Sequence, residues 1–239
     1  MSDTIISVLE SMSENIQQWN KAAEAYAGEQ EHSAFAESNR KVVRERFPGL
    51  NGERILDLGC GYGWYTDYFR SIGGNPVGVD GAGAMIDIAK RNYPDCAFIT
   101  ADITKPLPFE SGSFDLVFCN QVLMDLEDVE SVLTECFRVL KRGGIFYLSI
   151  VHPAFYNGAW ETGATTGASG KLISSYLTQG TITNRFWGET KHFHRPLSYY
   201  LNAIADAGFV LRHTEEPRSY DGKNGNCDLP LFFFAEYST

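Results

Sequence analysis

Hydrophobic and polar positions along the chain follow the rhythm of an α/β protein. From Arg54 onward, short apolar runs alternate with longer stretches whose apolar residues recur at helical spacing. The apolar runs lie at 55–58, 76–79, 96–100, 114–118 and 145–151. This alternation predicts a parallel sheet with helices on both faces.

The first fifty residues are polar and helix-prone. Apolar side chains recur there at helical spacing, in the set Ile5, Val8, Leu9, Met12 and again in the set Ile16, Trp19, Ala23, Tyr26. A third segment, 33–47, stops before Pro48-Gly49, a helix-ending pair. We expect helices throughout residues 1–50.

Residues 153–195 break the rhythm. They are rich in glycine, threonine and serine and dense in aromatic side chains: Phe155, Tyr156, Trp160, Tyr176, Phe186, Trp187 and Phe193. The segment is too long for a connecting loop. We expect an insertion that forms the wall of a substrate pocket, with short strands, although a dimer surface or a plain cover over the sheet fits the same composition. The chain then returns to a helix opened by Pro196 and to strands at 209–213 and 231–235.

Composition and charge exclude some classes of function. The formal net charge of −10 opposes a nucleic-acid surface, and the longest apolar stretch, 144–151, is too short to span a bilayer. The five cysteines have no C-x-x-C spacing, which favours free thiols in a reducing compartment. With no signal peptide evident, we expect a cytoplasmic protein that neither inserts into membranes nor binds nucleic acid.

The first apolar run carries the candidate chemistry. It contains Asp57 and leads into a glycine turn and a helix over 64–72, which is the layout of a nucleotide-binding crevice. Asp80 ends the second run, where an acid can accept hydrogen bonds from ribose hydroxyls. The turn glycines are Gly59, Gly61 and Gly63. Trp64 stands where a dinucleotide motif has its third glycine, so the pattern favours a ligand without phosphates.

These residues carry a family resemblance. The segments Asp57-Leu58-Gly59-Cys60-Gly61-Tyr62-Gly63 and Val77-Gly78-Val79-Asp80 resemble the first two motifs of class I S-adenosylmethionine-dependent methyltransferases. Later motifs recur in order at 107–118 and 135–144. The chain is most similar to the small-molecule type, in particular the ubiquinone/menaquinone-biosynthesis group.

The resemblance implies a fold and a division of the chain. The fold is α/β, a doubly wound, mostly parallel seven-stranded sheet of the Rossmann-like methyltransferase kind, with N-terminal lid helices and an insertion after strand 5. Residues 1–50 would form the lid, 51–152 the cofactor-binding core, 153–195 the insertion, and 196–239 a helix and a β-hairpin that complete the sheet.

The resemblance also implies S-adenosylmethionine as cofactor, with S-adenosylhomocysteine as product. In the family, an acid at the position of Asp102 accepts a hydrogen bond from the adenine amino group, the backbone of Ile103 contacts the ring, and Asn120 faces the methionine amine. A turn or helix cap is the alternative for Asp102, and plain burial is the alternative for Tyr26. The expected cofactor-binding residues are Tyr26, Asp57, Gly59, Gly61, Asp80, Gly81, Met85, Asp102, Ile103 and Asn120.

Methyl transfer from a sulfonium is an in-line displacement that chiefly requires binding and alignment. A base helps where the acceptor carries a proton. We therefore take His152, His192 and His194 as candidates to orient or deprotonate an acceptor hydroxyl, with an ordinary structural role as the alternative for each. His192 and His194 would share one face of a strand, but without a third ligand we expect no metal.

The sequence thus predicts a methyltransferase that acts on an oxygen or nitrogen of a small, largely apolar or aromatic molecule, as a monomer or homodimer. Alternatives are a non-catalytic module that binds the cofactor, a macromolecule methyltransferase and a nicotinamide-dependent oxidoreductase. The segment Asn120-Gln121-Val122-Leu123 differs from the Asn/Asp-Pro-Pro-aromatic tetrad of enzymes that methylate base amines. The glycine spacing and Trp64 oppose the oxidoreductase.

Overall fold

In the described part of the chain, two helices precede the sheet. The computed structural model describes residues 13–156, 159–162, 169–218 and 228–239; the predicted helix at 5–12 and Cys227 lie outside these ranges. Helix α1 spans Glu14–His32 and helix α2 spans Ala34–Arg46. Both begin at a serine whose hydroxyl accepts a backbone N–H of the first turn, Ser13 from Ile16 and Ser33 from Ala36, each at 3.3 Å.

Strands and helices then alternate as the hydrophobic pattern predicts. The elements are β1 (Arg54–Leu58), α3 (Trp64–Ser71), β2 (Asn75–Asp80), α4 (Gly83–Asn92), β3 (Ala97–Thr100), β4 (Phe114–Asn120), a 3-10 turn (Leu123–Asp125), α5 (Val129–Val139), β5 (Leu140–Val151), β6 (Ala159–Thr162), β7 (Ser169–Leu172), β8 (Gly180–Asn184), β9 (Thr190–His194), α6 (Leu197–Asp206), β10 (Val210–Glu215) and β11 (Phe232–Ser238). Pro196 lies at the N-cap of α6, one position before the predicted first turn.

The central sheet has seven strands in the order β10-β11-β5-β4-β1-β2-β3. Strands β1 to β5 pair in parallel, whereas β11 pairs antiparallel with both β5 and β10. The predicted doubly wound, mostly parallel seven-stranded fold is therefore confirmed, including its terminal hairpin. Chain order reverses between β1 and β4, so a ligand crevice is expected beyond the carboxyl ends of these strands.

The core explains why the middle strands lack clean alternation. Ile55, Leu56 and Leu58 of β1 are fully buried, as are Phe118 of β4 and Phe69 of α3. A parallel strand covered on both faces is apolar at nearly every position. The rings of Phe69 and Phe118 meet edge-on with centroids 4.9 Å apart, and this contact fixes α3 against the sheet.

One boundary differs from expectation. The segment Lys141-Arg142-Gly143-Gly144 has the basic residues and glycines typical of a turn that ends a helix, but β5 begins at Leu140 directly after α5. Leu140 pairs with Phe114 and the register shifts before Leu116 pairs with Ile145. Gly143, at φ +75°, lies within this irregularity, so its glycine serves a strand bulge instead of a helix cap.

The insertion contains two antiparallel hairpins, β6–β7 and β8–β9. This agrees with the expected short strands. No helix in the described part of the chain has the length and apolar character needed to cross a bilayer.

Candidate functional site

The carboxylate of Asp80 is fixed at the carboxyl end of β2 by two backbone donors. Gly61 N–H donates to Oδ2 at 2.9 Å and Ala82 N–H donates to Oδ1 at 2.8 Å. Burial raises the pKa of Asp80, and these two hydrogen bonds oppose the rise. Each carboxylate oxygen has a second lone pair, so the group can still accept from a ligand.

The glycine turn brings the backbone close to the loop after β4. Gly59 adopts φ +71°, and a Cβ there would overlap the side chain of Val122. Glycine is thus required twice, for its conformation and for the close approach. The turn is held to β2 by Gly59 N–H, which donates to the carbonyl of Val79 at 2.7 Å.

A cavity of about 370 Å³ opens at these strand ends. It lies between the tips of β1, β2, β3 and β4 on one side and α1 on the other. Among the predicted cofactor residues that the structure describes, all except Asp57 line it, namely Tyr26, Gly59, Gly61, Asp80, Gly81, Met85, Asp102, Ile103 and Asn120.

Asp57, which was also predicted to bind the cofactor, has a different place and is not among the described residues that line either cavity. Its side chain is buried below the glycine turn and accepts a hydrogen bond from Thr66 Oγ1 at 2.6 Å. Burial raises the pKa of Asp57 to about 7; the Thr66 bond lowers it and the charge of Asp80 raises it. Asp57 therefore ties β1 to α3 beneath the cavity instead of lining it.

Asp102 makes the contacts of a turn and also faces the cavity. Its Oδ1 accepts from Thr104 N–H at 3.0 Å and from Thr104 Oγ1 at 2.7 Å, which is the turn-forming arrangement. The residue nevertheless lines the cavity beside Ile103. One carboxylate oxygen is thus used locally, and the other has no bond to the turn.

Helix α1 covers the strand ends. Asn20 Oδ1 accepts the backbone N–H of Ala84 at 2.9 Å, in the first turn of α4. Trp19 and Tyr26 pack edge-on with centroids 5.3 Å apart, and Tyr26 also meets Tyr62 of the glycine turn at 6.1 Å. The helix is thereby attached to the core at both ends of the cavity.

A second, larger cavity of about 640 Å³ adjoins the first. Both are lined by Gly59, Gly61, Asn120 and Gln121, and by Trp19 and Tyr26 from α1. The insertion contributes three aromatic side chains to the larger one: Tyr156, Phe186 and Trp187. Trp187 stacks near Trp19 at 6.3 Å, so the insertion and α1 together form an aromatic wall.

Arg40 is a cationic side chain of the larger cavity that the sequence patterns did not single out. It is buried, and its Nη2 donates to Tyr62 Oη at 2.6 Å and to the carbonyl of Gln30 at 3.1 Å. Its guanidinium carbon lies 4.5 Å from the ring centre of Trp64. An arginine in an amphipathic helix has no distinctive sequence pattern. The importance of Arg40 follows only from its contact with the glycine turn, which is distant in the chain.

The three candidate histidines are not brought together. His192 lines the larger cavity. His152 Nε2 lies 2.7 Å from Glu216 Oε1, and His194 Nε2 lies 2.9 Å from the carbonyl of Tyr176; neither is among the described residues that line the two cavities. In the described ranges, no group of three or more His, Cys, Asp or Glu side chains forms a metal site.

Asp125 is the second residue that the sequence analysis missed. It lines both cavities, and its Oδ1 lies 3.9 Å from His192 Nδ1. Burial raises the pKa of Asp125 well above its ordinary value. Its position just after the carboxyl end of β4 could have marked it in the sequence as a site residue. Its partner His192, however, lies on β9, distant in the chain.

Comparisons with known proteins agree with this geometry. The profile of the family described as "Methyltransferase domain" matches residues 56–148. An uncharacterized methyltransferase of Synechocystis sp. is 36% identical over 144 residues, which cover 55% of this chain and 68% of that protein. A demethylmenaquinone methyltransferase of Lactococcus lactis is 37% identical over 132 residues, or 51% of this chain; the match spans about half of that relative, 52%.

Among solved structures, a S-adenosylmethionine-dependent methyltransferase from Mesorhizobium loti superposes with a TM-score of 0.75 at 27% identity. The superposition covers 88% of this chain and 100% of that one. The similarity to this structure extends beyond the residues matched by the family profile, and so includes elements outside the cofactor-binding strands.

Proposed function

The chain belongs to the class I S-adenosylmethionine-dependent methyltransferases, and from this premise we propose that it methylates an oxygen or nitrogen of a small, largely apolar or aromatic molecule. One observation carries the proposal: a strand-end cavity with the fixed carboxylate of Asp80 shares lining residues with a larger cavity that has an aromatic wall. S-adenosylmethionine supplies an electrophilic methyl group on a sulfonium. The chain supplies binding, alignment and exclusion of water.

We propose the following places for the cofactor. Asp80 accepts from the ribose hydroxyls, and Asp102 and Ile103 contact the adenine. Arg40 holds the methionine carboxylate, since it is a buried cation in the adjoining cavity, hydrogen-bonded to Tyr62 of the glycine turn. Asn120, at the tip of β4, faces the methionine amine.

The assignment of Asp80 is tested by Asp80→Ala. We expect affinity for S-adenosylmethionine to fall by about tenfold or more, because a hydrogen bond to a charged group contributes about 1.5–3 kcal/mol and about 1.4 kcal/mol is a factor of ten. Isothermal titration calorimetry measures it. Asp87→Ala, an exposed acid on α4, is the matched control, and equal affinities in the two variants would refute the assignment.

The acceptor class is tested by turnover. The enzyme, supplied with S-adenosylmethionine labelled in its methyl group, is incubated with a fractionated cell extract that contains metabolites, RNA and protein. We expect the label in a small apolar product. Label in RNA or protein, with none in small molecules, would contradict the proposal, and cofactor binding without any transfer would favour a non-catalytic module.

A further inference from the structure

Asp125 occupies the position at which the two cavities meet. It ends the 3-10 turn that follows β4, and it lines the cofactor cavity as well as the larger one. Its side chain is 15% exposed. The amide of Asn15 on α1 donates to its backbone carbonyl, so the lid helix fixes the turn. A reacting acceptor atom placed between the cavities would lie beside this carboxyl group.

His192 is the side chain that faces Asp125 from β9, with Nδ1 at 3.9 Å from Oδ1. Its ring stacks on Tyr156 with centroids 4.5 Å apart, and Tyr156 Oη donates to Asn184 Oδ1 at 2.9 Å. Burial lowers the pKa of His192 to about 4, and the charges of His194 and Arg195 add to the effect. At neutral pH the imidazole is therefore uncharged and has an N–H to offer.

The other groups that face Asp125 keep their protons at neutral pH. They are Tyr26 from α1, Tyr156 from the segment after β5 and Tyr200 from α6, each of which senses the charge of Asp125. Burial raises the pKa of Tyr156 and of Tyr200 to about 12 and raises that of Tyr26 further. Of the five side chains at this position, Asp125, His192, Tyr26, Tyr156 and Tyr200, Asp125 is the carboxylic acid, and its carboxylate can accept a proton.

We propose that Asp125 is a catalytic residue that takes the proton of an aromatic hydroxyl as that oxygen is methylated, and that His192 is the positioning residue that orients its carboxylate. The inference rests on the proposed function and specifies its substrate class. The hydroxyl oxygen forms a bond to the methyl carbon, the carbon–sulfur bond breaks with its electron pair retained by sulfur, and the O–H proton passes to the carboxylate of Asp125. Burial makes that carboxylate a stronger base than an exposed one.

Charge selects the hydroxyl over two other nucleophiles. An acceptor carboxylate placed here would face the charge of Asp125 at short range in a poorly solvated site, which is unfavourable. An acceptor ammonium would face the positive sulfonium. A neutral hydroxyl meets neither penalty, and the rings of Trp19, Trp187 and Tyr156 suit a planar aromatic body.

The test uses naphthol with its carboxylate and amine counterparts, naphthoic acid and naphthylmethylamine, as alternative acceptors for the full chain and S-adenosylmethionine. Formation of S-adenosylhomocysteine and of the methylated product is followed by mass spectrometry. We expect methoxynaphthalene as the product, with a rate that rises as pH increases through the Asp125 pKa. Asp125→Asn should lower kcat, measured at saturating cofactor, by about 100-fold or more and remove this pH dependence.

Two comparisons separate the outcomes. Asp87→Asn on the exposed side of α4 should behave as the unmodified protein. His192→Asn should lower kcat with little change in KM, because it leaves the base in place but unoriented. Faster methylation of the acid or amine, no methylation of naphthol by a protein that binds the cofactor, or an unchanged pH profile in Asp125→Asn would each overturn the inference. If the unmodified protein did not bind S-adenosylmethionine, the proposed function itself would be refuted.

Discussion

At the scale of single residues, Asp57 illustrates how burial sets the charge of a side chain. Its pKa in the folded protein is about 7, whereas an aspartate in an unfolded chain has a pKa of about 3.9. Between these values the folded state holds a proton that the unfolded state has released. Stability is therefore greatest below the lower value and is lost as pH rises through the upper one.

The corresponding prediction concerns Asp57→Asn. In the unmodified protein, this residue should lower the free energy of unfolding by up to about 1.4 kcal/mol for each pH unit across that window. Asparagine cannot ionise and can still accept from Thr66, so the variant should gain stability relative to the unmodified protein as pH rises. Urea unfolding at a series of pH values measures the difference, and a constant difference would show that Asp57 does not titrate there.

Gly59 supports a second prediction at this scale. Gly59→Ala should destabilise the protein by about 1–3 kcal/mol through overlap with Val122, and by about 1–2 kcal/mol more because alanine disfavours positive φ. Adding Val122→Ala should remove the steric cost but not the conformational cost. The Val122→Ala change also loses some buried apolar surface of its own, which the single variant measures. Thermal unfolding of the two single variants and the double variant tests this; absence of any recovery would contradict the steric account.

The residues that sequence analysis found and missed differ in how local their signal is. Asp80 follows an apolar run and Gly59 belongs to a compact motif, so both could be identified from neighbours in the chain. Arg40 is recognisable as a site residue through its hydrogen bond to Tyr62, and Asp125 through its position opposite His192. Contacts between distant segments leave no local pattern, and for the same reason Asp57 could not be distinguished from a ligand-contacting acid.

At the scale of elements, the attachment of α1 to α4 is the feature with consequences for binding. No side chain at the N-cap of α4 satisfies its first-turn donors; Asn20 of α1 supplies an acceptor for Ala84 instead. The cap of one helix thus depends on the position of another. This contact fixes α1 beside the cofactor cavity as long as both helices keep their positions.

We therefore expect Asn20→Ala to loosen the lid. Loss of a helix cap costs about 0.5–2 kcal/mol, and the change should appear as faster hydrogen exchange in the first turn of α4 and faster dissociation of S-adenosylhomocysteine. Lys21→Ala, at an exposed neighbouring position, is the control. Equal dissociation rates in the two variants would show that α1 does not restrain the cofactor.

Helices and buried strands were predictable at this scale because their periodicity is local. The start of β5 was not. Basic residues and two glycines after a helix are typical of a helix end, but Leu140 pairs with Phe114 across the sheet and the strand begins at once. Strand pairing is a tertiary interaction, and here it overrides the local signal.

At the scale of the whole molecule, the cofactor cavity brings together residues from four parallel strands, their loops and α1. A ligand that binds this assembled site and not the unfolded chain stabilises the fold by mass action. S-adenosylhomocysteine at about 100 times its dissociation constant should add about 2.7 kcal/mol to the free energy of unfolding. Calorimetric melting at rising ligand concentrations measures it, and Asp80→Ala should need more ligand for the same increase.

Trp19 and Tyr26 face both cavities, and this shared boundary has a thermodynamic consequence. If a bound methyl donor shifts these two rings and thereby changes the affinity for the acceptor by some factor, a bound acceptor must change the affinity for the donor by the same factor. The affinities for the methyl donor and for the acceptor are thereby coupled through the two rings, and S-adenosylhomocysteine in the same cavity is coupled to the acceptor in the same way. Substrate inhibition or product retention in this enzyme would then follow from one tryptophan and one tyrosine.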